Sequence, residues 1–224
     1  MYESLENITE SLRAQGHKIN DPWDVVGAFE KMVADYAGSK FAVSTDSCTD
    51  ALLLCCEHLR VEEVTIPAQT YLSVPQSIIH AGGVVRFDER KWKGVYQLKP
   101  YPIYDAAKRF TSGMYIPGSY MCLSFHIKKH LKIGKGGMIL TDNMEAYEWF
   151  KKGRYEGRAE VKYHDDNIDI NGWNAYMTPE QAARGLMLIQ NYPEHNEDIS
   201  EDPPYRDLRE FELFKNRRRN GFTK

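Results

Sequence analysis

The stretch from Ser124 to Lys129, which reads Ser-Phe-His-Ile-Lys-Lys, carries residues with an evident chemical use. It overlaps the apolar run at 121–125, which is typical of a buried strand, and precedes a glycine-containing turn at 134–137. A lysine amine held just past a strand end can form a Schiff base with an aldehyde cofactor, while a nearby serine hydroxyl binds a phosphate. Taken alone, two adjacent lysines more often indicate a solvated loop, because lysine is mostly a surface residue.

A second chemical feature is the apolar run at 102–104, which ends in Asp105 and is followed by two alanines. A carboxylate at a strand end is well placed to pair with a protonated pyridine nitrogen, the pairing that makes pyridoxal phosphate an electron sink. The small alanines would let the ring approach closely. The alternative is that Asp105 only caps the next turn.

A third feature is the hydroxyl-rich turn between the predicted strand at 40–44 and an apolar helix that begins at Cys48. Hydroxyl residues at a helix start can be plain N-caps. They can also form a phosphate site, because the free N–H groups and the dipole at a helix start favour an anion. This turn alone does not separate the two readings.

In combination, these features resemble one family. The chain is similar, in order from about Phe29 to Met187, to the DegT/StrS-type sugar aminotransferases, a group of fold-type-I pyridoxal-phosphate enzymes that act on nucleotide-linked keto sugars. The matching segments occur along the chain in the same order as in the family, which argues against a chance resemblance. The segments that carry the resemblance are Phe29–Val43, Ser47–Leu52, Val64–Tyr71, Tyr104–Lys108, Ser124–Lys129 and Gly172–Ala183.

The resemblance implies a role for the residues that would contact the cofactor ring. Lys129, five residues after the serine, would hold pyridoxal 5'-phosphate as a Schiff base and later move protons. Lys128 is one position out of register and would be a neighbour. Asp105 would pair with the pyridine nitrogen, and Tyr71 would stack on the ring face, for which an aromatic side chain is suited.

The resemblance also implies which residues hold the phosphate. Cys48, Thr49 and Ser124 would bind it within one chain. Asn174 would reach the phosphate of a neighbouring subunit, as the family's asparagine does, so a homodimer with a shared active site is expected. Two further candidates for cofactor contact are Lys108 and His126.

The chain departs from the family in several places. Family members usually run well past this length and carry a smaller C-terminal domain. Lys108 stands where the family has glutamine, Lys135 where it has glutamate and Tyr176 where it has arginine. Only residues 89–102 fill a gap that normally holds a strand, a helix and a strand. The cofactor residues are therefore better supported than the substrate-binding ones.

The activity that the resemblance implies is transfer of an amino group from L-glutamate to a nucleotide-linked keto sugar, as in amino-sugar biosynthesis. An alternative from another class is a non-catalytic relic, a cofactor-bound or empty dimer used in regulation or assembly. The retained lysine, aspartate, serine and asparagine favour the enzyme. A related dehydration is a third reading, because the family's dehydratases carry histidine at the Schiff-base position and His130 follows Lys129.

Composition and charge exclude several classes of protein. The 224 residues are 42% hydrophobic and 27% charged, which is ordinary for a soluble globular chain. A net charge of −3 gives no case for nucleic-acid binding, and Arg217–Arg219 are predicted to be solvated tail charge. No apolar run approaches the length of about 18 residues that crosses a membrane, and Met1–Ile19 lacks a signal-peptide core. The cysteines and histidines show no metal-ligand spacing, and a reducing cytoplasm fits.

Alternating short strands and helices predict an α/β fold, the large domain of a fold-type-I pyridoxal-phosphate transferase, with a mostly parallel sheet flanked by helices. Ligands bind beyond the carboxyl ends of such strands, where the candidate residues fall. We predict a compact cofactor-binding domain over 1–192, a charged tail over 193–224 and a loop at 153–174 that crosses to a partner subunit. Strands are predicted at 40–44, 62–66, 84–87, 102–105, 121–125 and 137–141, and helices at 22–37, 48–60, 70–81, 143–153 and 178–192.

Overall fold

The described residues of this computed structural model, 5–16, 18–200 and 204–215, form seven strands and seven α helices. The strands are β1 Phe41–Thr45, β2 Glu63–Pro67, β3 Val84–Asp88, β4 Tyr96–Leu98, β5 Ile103–Asp105, β6 Tyr120–Ser124 and β7 Gly137–Thr141. The helices are α1 Leu5–Ala14, α2 Pro22–Ala37, α3 Cys48–His58, α4 Ser73–His80, α5 Met144–Gly153, α6 Pro179–Ile189 and α7 Glu212–Lys215.

The sheet has five strands in the order β1-β7-β6-β5-β4, and β2 and β3 form a separate parallel pair. Backbone hydrogen bonds between Thr65 and Lys99 connect that pair to the end of β4. β1 and β6 both run antiparallel to β7, and β6 runs parallel to β5, so these three point the same way. Only β4 and β7 oppose the common direction among the described strands. The predicted α/β class with flanking helices is confirmed, but three of the four strand pairings in the five-stranded sheet are antiparallel, so the strands share a direction more than they pair in parallel.

Local sequence signals place the ends of α2 as predicted. The Asp21 carboxylate accepts hydrogen bonds from the Trp23 and Asp24 N–H groups. The Asp24 carboxylate in turn accepts a hydrogen bond from the Asp21 N–H. This reciprocal cap satisfies N–H groups that the helix itself leaves free. At the other end Gly38 adopts φ +80, a left-handed conformation in which glycine avoids the Cβ penalty.

Helices cover the sheet on both faces and divide the core into two clusters. α2 and α6 cover one face, where Phe29, Phe125 and Leu186 are buried. α3, α4 and α5 pack around the other cluster. A Cβ at Gly185 in α6 would lie 2.6 Å from the Phe29 ring, so glycine is what allows α6 to approach α2 so closely.

Three elements, α1, β4 and α7, were missing from the sequence-based prediction. α1 lies in the polar N-terminal region, where it buries only a few side chains, among them Leu12. β4 lies inside the short segment 89–102, which we expected to lack the family's usual elements. The start of α4 was also predicted too early, since residues 70–72 form a turn before Ser73. In the described part of the chain, no helix combines the length and apolar character needed to cross a bilayer.

Candidate active site

A cavity of about 580 Å³ opens beyond the carboxyl ends of β1, β5 and β6. Ligands occupy this position in open α/β sheets. The structure brings eight of the nine candidate residues together in its lining, and Asn174 lies elsewhere. The eight are Cys48, Thr49, Tyr71, Asp105, Lys108, Ser124, His126 and Lys129.

The N-terminus of α3 forms one wall of the cavity. Ser47 caps the helix by accepting a hydrogen bond from the Asp50 N–H, and the Thr49 hydroxyl bonds the Ser73 hydroxyl at 2.9 Å. A Cβ at Gly137 in β7 would lie 2.4 Å from the Ser47 carbonyl carbon. Glycine at that position therefore lets the start of α3 lie directly against the sheet. The result is a fixed helix start that faces the cavity, which is suited to an anion.

Asp105 is buried at the end of β5, with only 4% of its surface exposed. Its Oδ1 accepts a hydrogen bond from the Ala107 N–H at 2.9 Å, and its carboxylate also bonds the Tyr96 hydroxyl. The Tyr96 hydroxyl in turn lies 2.7 Å from the Thr70 hydroxyl. Burial raises the pKa of Asp105 above its ordinary value, although the hydrogen bonds and the nearby Lys129 ammonium oppose that rise.

Tyr96 is a site residue that the sequence-based prediction missed. It lies on β4, in the segment where no strand was expected, and is itself buried. Burial raises the pKa of its phenol well above the ordinary value, so the hydroxyl stays protonated and can donate to Asp105. The Tyr-Gln-Leu alternation at 96–98 was the only signal of an additional strand.

Lys128 and Lys129 lie in a tight turn after β6. The Lys129 N–H bonds the His126 carbonyl at 2.8 Å, and the Lys128 N–H bonds the His126 Nδ1 at 3.2 Å. Both lysines line the cavity, but Lys128 is exposed whereas Lys129 is partly buried. The charge of Lys129 lowers the pKa of Asp105 against the larger effect of burial, so the two groups are electrostatically coupled across the cavity.

Lys108 is almost fully buried in the outer part of the cavity, at 5% exposure. Its ammonium lies 4.9 Å from the centre of the Trp92 ring and 4.4 Å from that of Tyr205. Both distances fall within the range of a cation–π contact. Neither aromatic residue was a sequence-based candidate, because nothing in the sequence connects positions 92, 108 and 205.

The structure places part of the predicted charged tail over this cavity. Ile199, Ser200 and Tyr205 line it, and Leu208 is buried against the core at 2% exposure. The division at residue 192 stays a prediction, but some of the described tail residues, among them Ile199, Tyr205 and Leu208, contact the preceding domain. The predicted solvated cluster Arg217–Arg219 lies outside the described residues.

A family model for the DegT/DnrJ/EryC1/StrS aminotransferase family matches residues 2–116 and 116–201. The chain belongs to this family. The spore coat polysaccharide biosynthesis protein SpsC of Bacillus subtilis is 24% identical over 247 residues, covering 84% of this chain and 61% of SpsC. GDP-perosamine synthase of Caulobacter vibrioides is 26% identical over 214 residues, covering 75% of this chain and 57% of the synthase.

Solved structures agree with the family assignment at the level of fold. NtdA of Bacillus subtilis, solved with bound cofactor PMP, aligns with a TM-score of 0.63 at 21% identity and covers 83% of this chain and 52% of NtdA. The predicted fold class, the large domain of a pyridoxal-phosphate-dependent transferase, is therefore confirmed. The chain spans about three fifths of the length of the curated relatives that it matches.

Two departures from the family pattern line the cavity. Lys108 is the residue whose ammonium lies against the Trp92 and Tyr205 rings. Lys135 lies at the mouth, where its ammonium pairs with the Asp46 carboxylate. Both changes place a positive charge where the family pattern has a neutral or acidic side chain.

Asn174 lies on the exposed surface outside the cavity. Its side-chain amide donates to the Glu156 carboxylate at 3.3 Å, and its backbone bridges to Tyr155. The contact of Asn174 with a second subunit stays a prediction. The loop at 153–174 is held from within its own chain by Arg154, whose guanidinium bonds Glu30 and Ser44.

The cysteines of the chain are free thiols. Cys48 borders the cavity, and burial raises the pKa of its thiol well above the ordinary value, so it is neutral. Among the described residues no cluster of three or more metal-ligating side chains occurs.

Proposed function

We propose that this chain binds pyridoxal 5'-phosphate in the cavity and transfers an amino group from L-glutamate to a nucleotide-linked keto sugar. The observation that carries the proposal is the convergence of the α3 start, Asp105 and Lys129 on one cavity. These groups come from three separate strand ends. Each suits a different part of the same cofactor: its phosphate, its ring nitrogen and its aldehyde carbon.

Asp105 provides a test of fit. Its pKa is raised because burial outweighs the hydrogen bonds and ammonium groups around it. A protonated pyridine nitrogen beside the carboxylate would supply the missing positive charge and bring the pKa down. When bound, the cofactor supplies the electron sink for the reaction, and Asp105 would keep its ring nitrogen protonated.

The remaining roles follow from position. The free N–H groups of α3, with the hydroxyls of Thr49 and Ser124, would hold the phosphate. The exposed Tyr71 ring would cover one face of the cofactor. The Lys129 amine would attach to the cofactor covalently. Once released, it would carry a proton between a carbon of the substrate and a carbon of the cofactor.

The charge of the cavity supports anionic ligands. Among the described residues, its lining contains four lysines, at 108, 128, 129 and 135, and one buried carboxylate, Asp105. The cofactor phosphate, the carboxylates of glutamate and the diphosphate of a nucleotide sugar all carry negative charge that these lysines would attract. The name GDP-perosamine synthase, given to one relative, supports a nucleotide-linked sugar as acceptor.

A homodimer with a shared active site is part of this proposal. Asn174 faces solvent outside its own cavity, which leaves it available to a second subunit. The free thiols are consistent with a reducing cytoplasm as the place of action.

The proposal is tested by the site of cofactor attachment. Wild-type protein incubated with pyridoxal 5'-phosphate and reduced with borohydride should carry the label on Lys129, as identified by mass spectrometry. Lys129→Ala should abolish the label and the visible absorbance of the bound cofactor. Lys128→Ala is the matched control, since it removes an adjacent lysine of the same cavity, and should retain both. Labelling of Lys128 in the wild-type protein would show that the attachment residue is wrongly assigned.

Addition of L-glutamate to the wild-type protein with bound cofactor then distinguishes an active aminotransferase from a non-catalytic relic. Amino transfer should convert the absorbance of the bound cofactor to that of its amine form and release 2-oxoglutarate. A loaded protein whose spectrum glutamate leaves unchanged would favour a non-catalytic relic or another amino donor.

A further inference from the structure

After α6 ends at Ile189, the chain reverses and runs back across the outer end of the cavity. We call residues 194–200 and 204–215 the C-terminal strap. Ile199, Ser200 and Tyr205 of the strap belong to the cavity lining.

The first half of the strap is attached by specific bonds. The Asp198 carboxylate accepts two hydrogen bonds from the Arg109 guanidinium, at 2.8 and 2.6 Å. The Ile199 N–H donates to the Lys108 carbonyl at 2.9 Å. A Cβ at Gly94 would lie 2.2 Å from the Asp198 carboxyl group, so glycine at 94 leaves the room that Asp198 occupies. A bidentate arginine–carboxylate pair fixes orientation as well as position.

The second half of the strap is attached mainly by burial. Leu208 is 2% exposed, and its N–H bonds the Ala68 carbonyl at 2.9 Å. The Phe214 ring packs edge-on against Phe87, with ring centres 5.5 Å apart. Tyr205 lies between these two sets of attachments and is therefore held at the cavity from both sides.

Tyr205 completes the enclosure of Lys108. The Tyr205 and Trp92 rings are nearly parallel, with 14° between their planes and 6.4 Å between their centres. The Lys108 ammonium contacts both rings. The Tyr71 ring, our candidate for covering the cofactor, lies 6.1 Å from Tyr205.

We propose that the C-terminal strap is the outer wall of the ligand cavity and that Tyr205 is a positioning residue, because it holds the Lys108 ammonium against Trp92. The enclosure of Lys108 follows from this chain's own contacts. The effect on a bound ligand rests on the proposed function. In the folded protein the wall shields the outer side of the cofactor from solvent and holds the Lys108 side chain in a fixed position.

The first experiment needs no cofactor. Full-length protein is treated with an amine-acylating reagent, and the labelling rates of Lys108 and of Lys31, whose side chain is 76% exposed, are compared by mass spectrometry. We expect Lys108 to react about tenfold more slowly than Lys31 in the wild-type protein. Tyr205→Ala should remove most of that protection, and Tyr205→Phe should keep it because the ring remains.

Leu213→Ala is the matched control, since Leu213 lies on the strap but is exposed and does not line the cavity. It should leave the protection of Lys108 unchanged. Asp198→Asn, which weakens the attachment to Arg109, gives a second way to loosen the wall should Tyr205→Ala not fold. A Lys108 that reacts as fast as Lys31 in the wild-type protein, or equally slowly in every folded variant, would overturn the proposal.

The second experiment uses pyridoxal 5'-phosphate as the probe. The rate at which hydroxylamine removes the bound cofactor should rise about tenfold in Tyr205→Ala and stay near the wild-type rate in Tyr205→Phe. Equal rates in all three proteins would refute a shielding wall. If the wild-type protein binds no cofactor, the proposed function fails, and the labelling of Lys108 still decides whether the wall exists.

Discussion

Glu30 and Asp105 are carboxylates buried to the same degree, at 5% and 4% exposure, yet their surroundings differ. Glu30 on α2 bonds the Ser44 N–H at 2.8 Å, the Ser44 hydroxyl at 2.9 Å and the Arg154 guanidinium, and Lys151 lies 3.4 Å away. Asp105 bonds one N–H group and one phenol.

The pKa values of the two carboxylates move in opposite directions. For Glu30, burial alone would raise the pKa, but Arg154, Lys151 and the Ser44 N–H together hold it below the ordinary value. For Asp105, burial outweighs its partners, and the pKa is raised. Glu30 thus has enough donors and cations around it to offset its burial, and its bonds connect α2, β1 and α5. Asp105 has too few donors and cations around it to offset its burial, as expected of a carboxylate in a site that binds a cation.

The largest effect that would test this comparison is loss of the Arg154 guanidinium. Arg154→Met leaves Glu30 buried without its main partner and should lower the free energy of unfolding by about 3–5 kcal/mol, measured in urea. Lys31→Met, which breaks the exposed pair with Asp35, is the control and should change it by less than about 0.5 kcal/mol. A loss from Arg154→Met no greater than that of the control would mean that the Glu30 cluster is not structural.

The second prediction concerns Asp105 and is of opposite sign. Asp105→Asn should raise the free energy of unfolding of the cofactor-free protein by about 1 kcal/mol at neutral pH, because it removes a poorly compensated buried charge. The same variant should lose most amino transfer from glutamate.

The pH dependence follows from the raised pKa. The folded wild-type protein binds the Asp105 proton more tightly than the unfolded chain does. Its free energy of unfolding therefore falls as pH rises from the unfolded pKa of Asp105 through the higher folded pKa. The advantage of Asp105→Asn should therefore grow with pH and shrink in acid. Glu30 behaves oppositely: its contribution is present above the unfolded pKa and is lost as pH falls through the lowered folded pKa. Urea titrations at several pH values would contradict the comparison if the Asn variant were less stable throughout.

The smallest effect is expected at Tyr96. Tyr96→Phe removes the hydroxyl that bonds Asp105 and Thr70, and should lower the free energy of unfolding by about 1 kcal/mol or less. With one donor fewer, the pKa of Asp105 should rise further, and the pH at which the absorbance of bound cofactor changes should shift upward. Tyr163→Phe, at an exposed tyrosine, is the control. An unchanged pH profile would remove Tyr96 from the support of Asp105.

Much of the candidate site could be predicted because its residues lie next to element boundaries that the sequence marks locally. Ser47 caps α3, Asp105 ends β5 and Ser124 ends β6, and each boundary falls within a residue or two of its predicted place. The carboxyl ends of strands that run in one direction meet at one edge of a sheet. The correct order of the strands that end at these residues was therefore enough to bring them into one cavity.

Contacts between distant parts of the chain could not be predicted in the same way. Arg154 reaches Glu30 across 124 positions, and Asp198 reaches Arg109 across 89. The charged composition after residue 192 indicated a tail, yet Leu208 is buried and Tyr205 faces the cavity. The contacts that dock the strap include a bidentate ion pair and a buried leucine, and composition records neither.

The sequence by itself determined the family, the order of most strands and helices, and the residues at the strand ends, because caps, apolar runs and motif spacing act over a few neighbouring positions. Only the tertiary structure decided that Tyr96 supports Asp105, that Lys108 lies between Trp92 and Tyr205, and that the two buried carboxylates have pKa values displaced in opposite directions. Those outcomes depend on which groups burial brings together and how many donors each one finds, and both are set by packing between residues far apart in the chain.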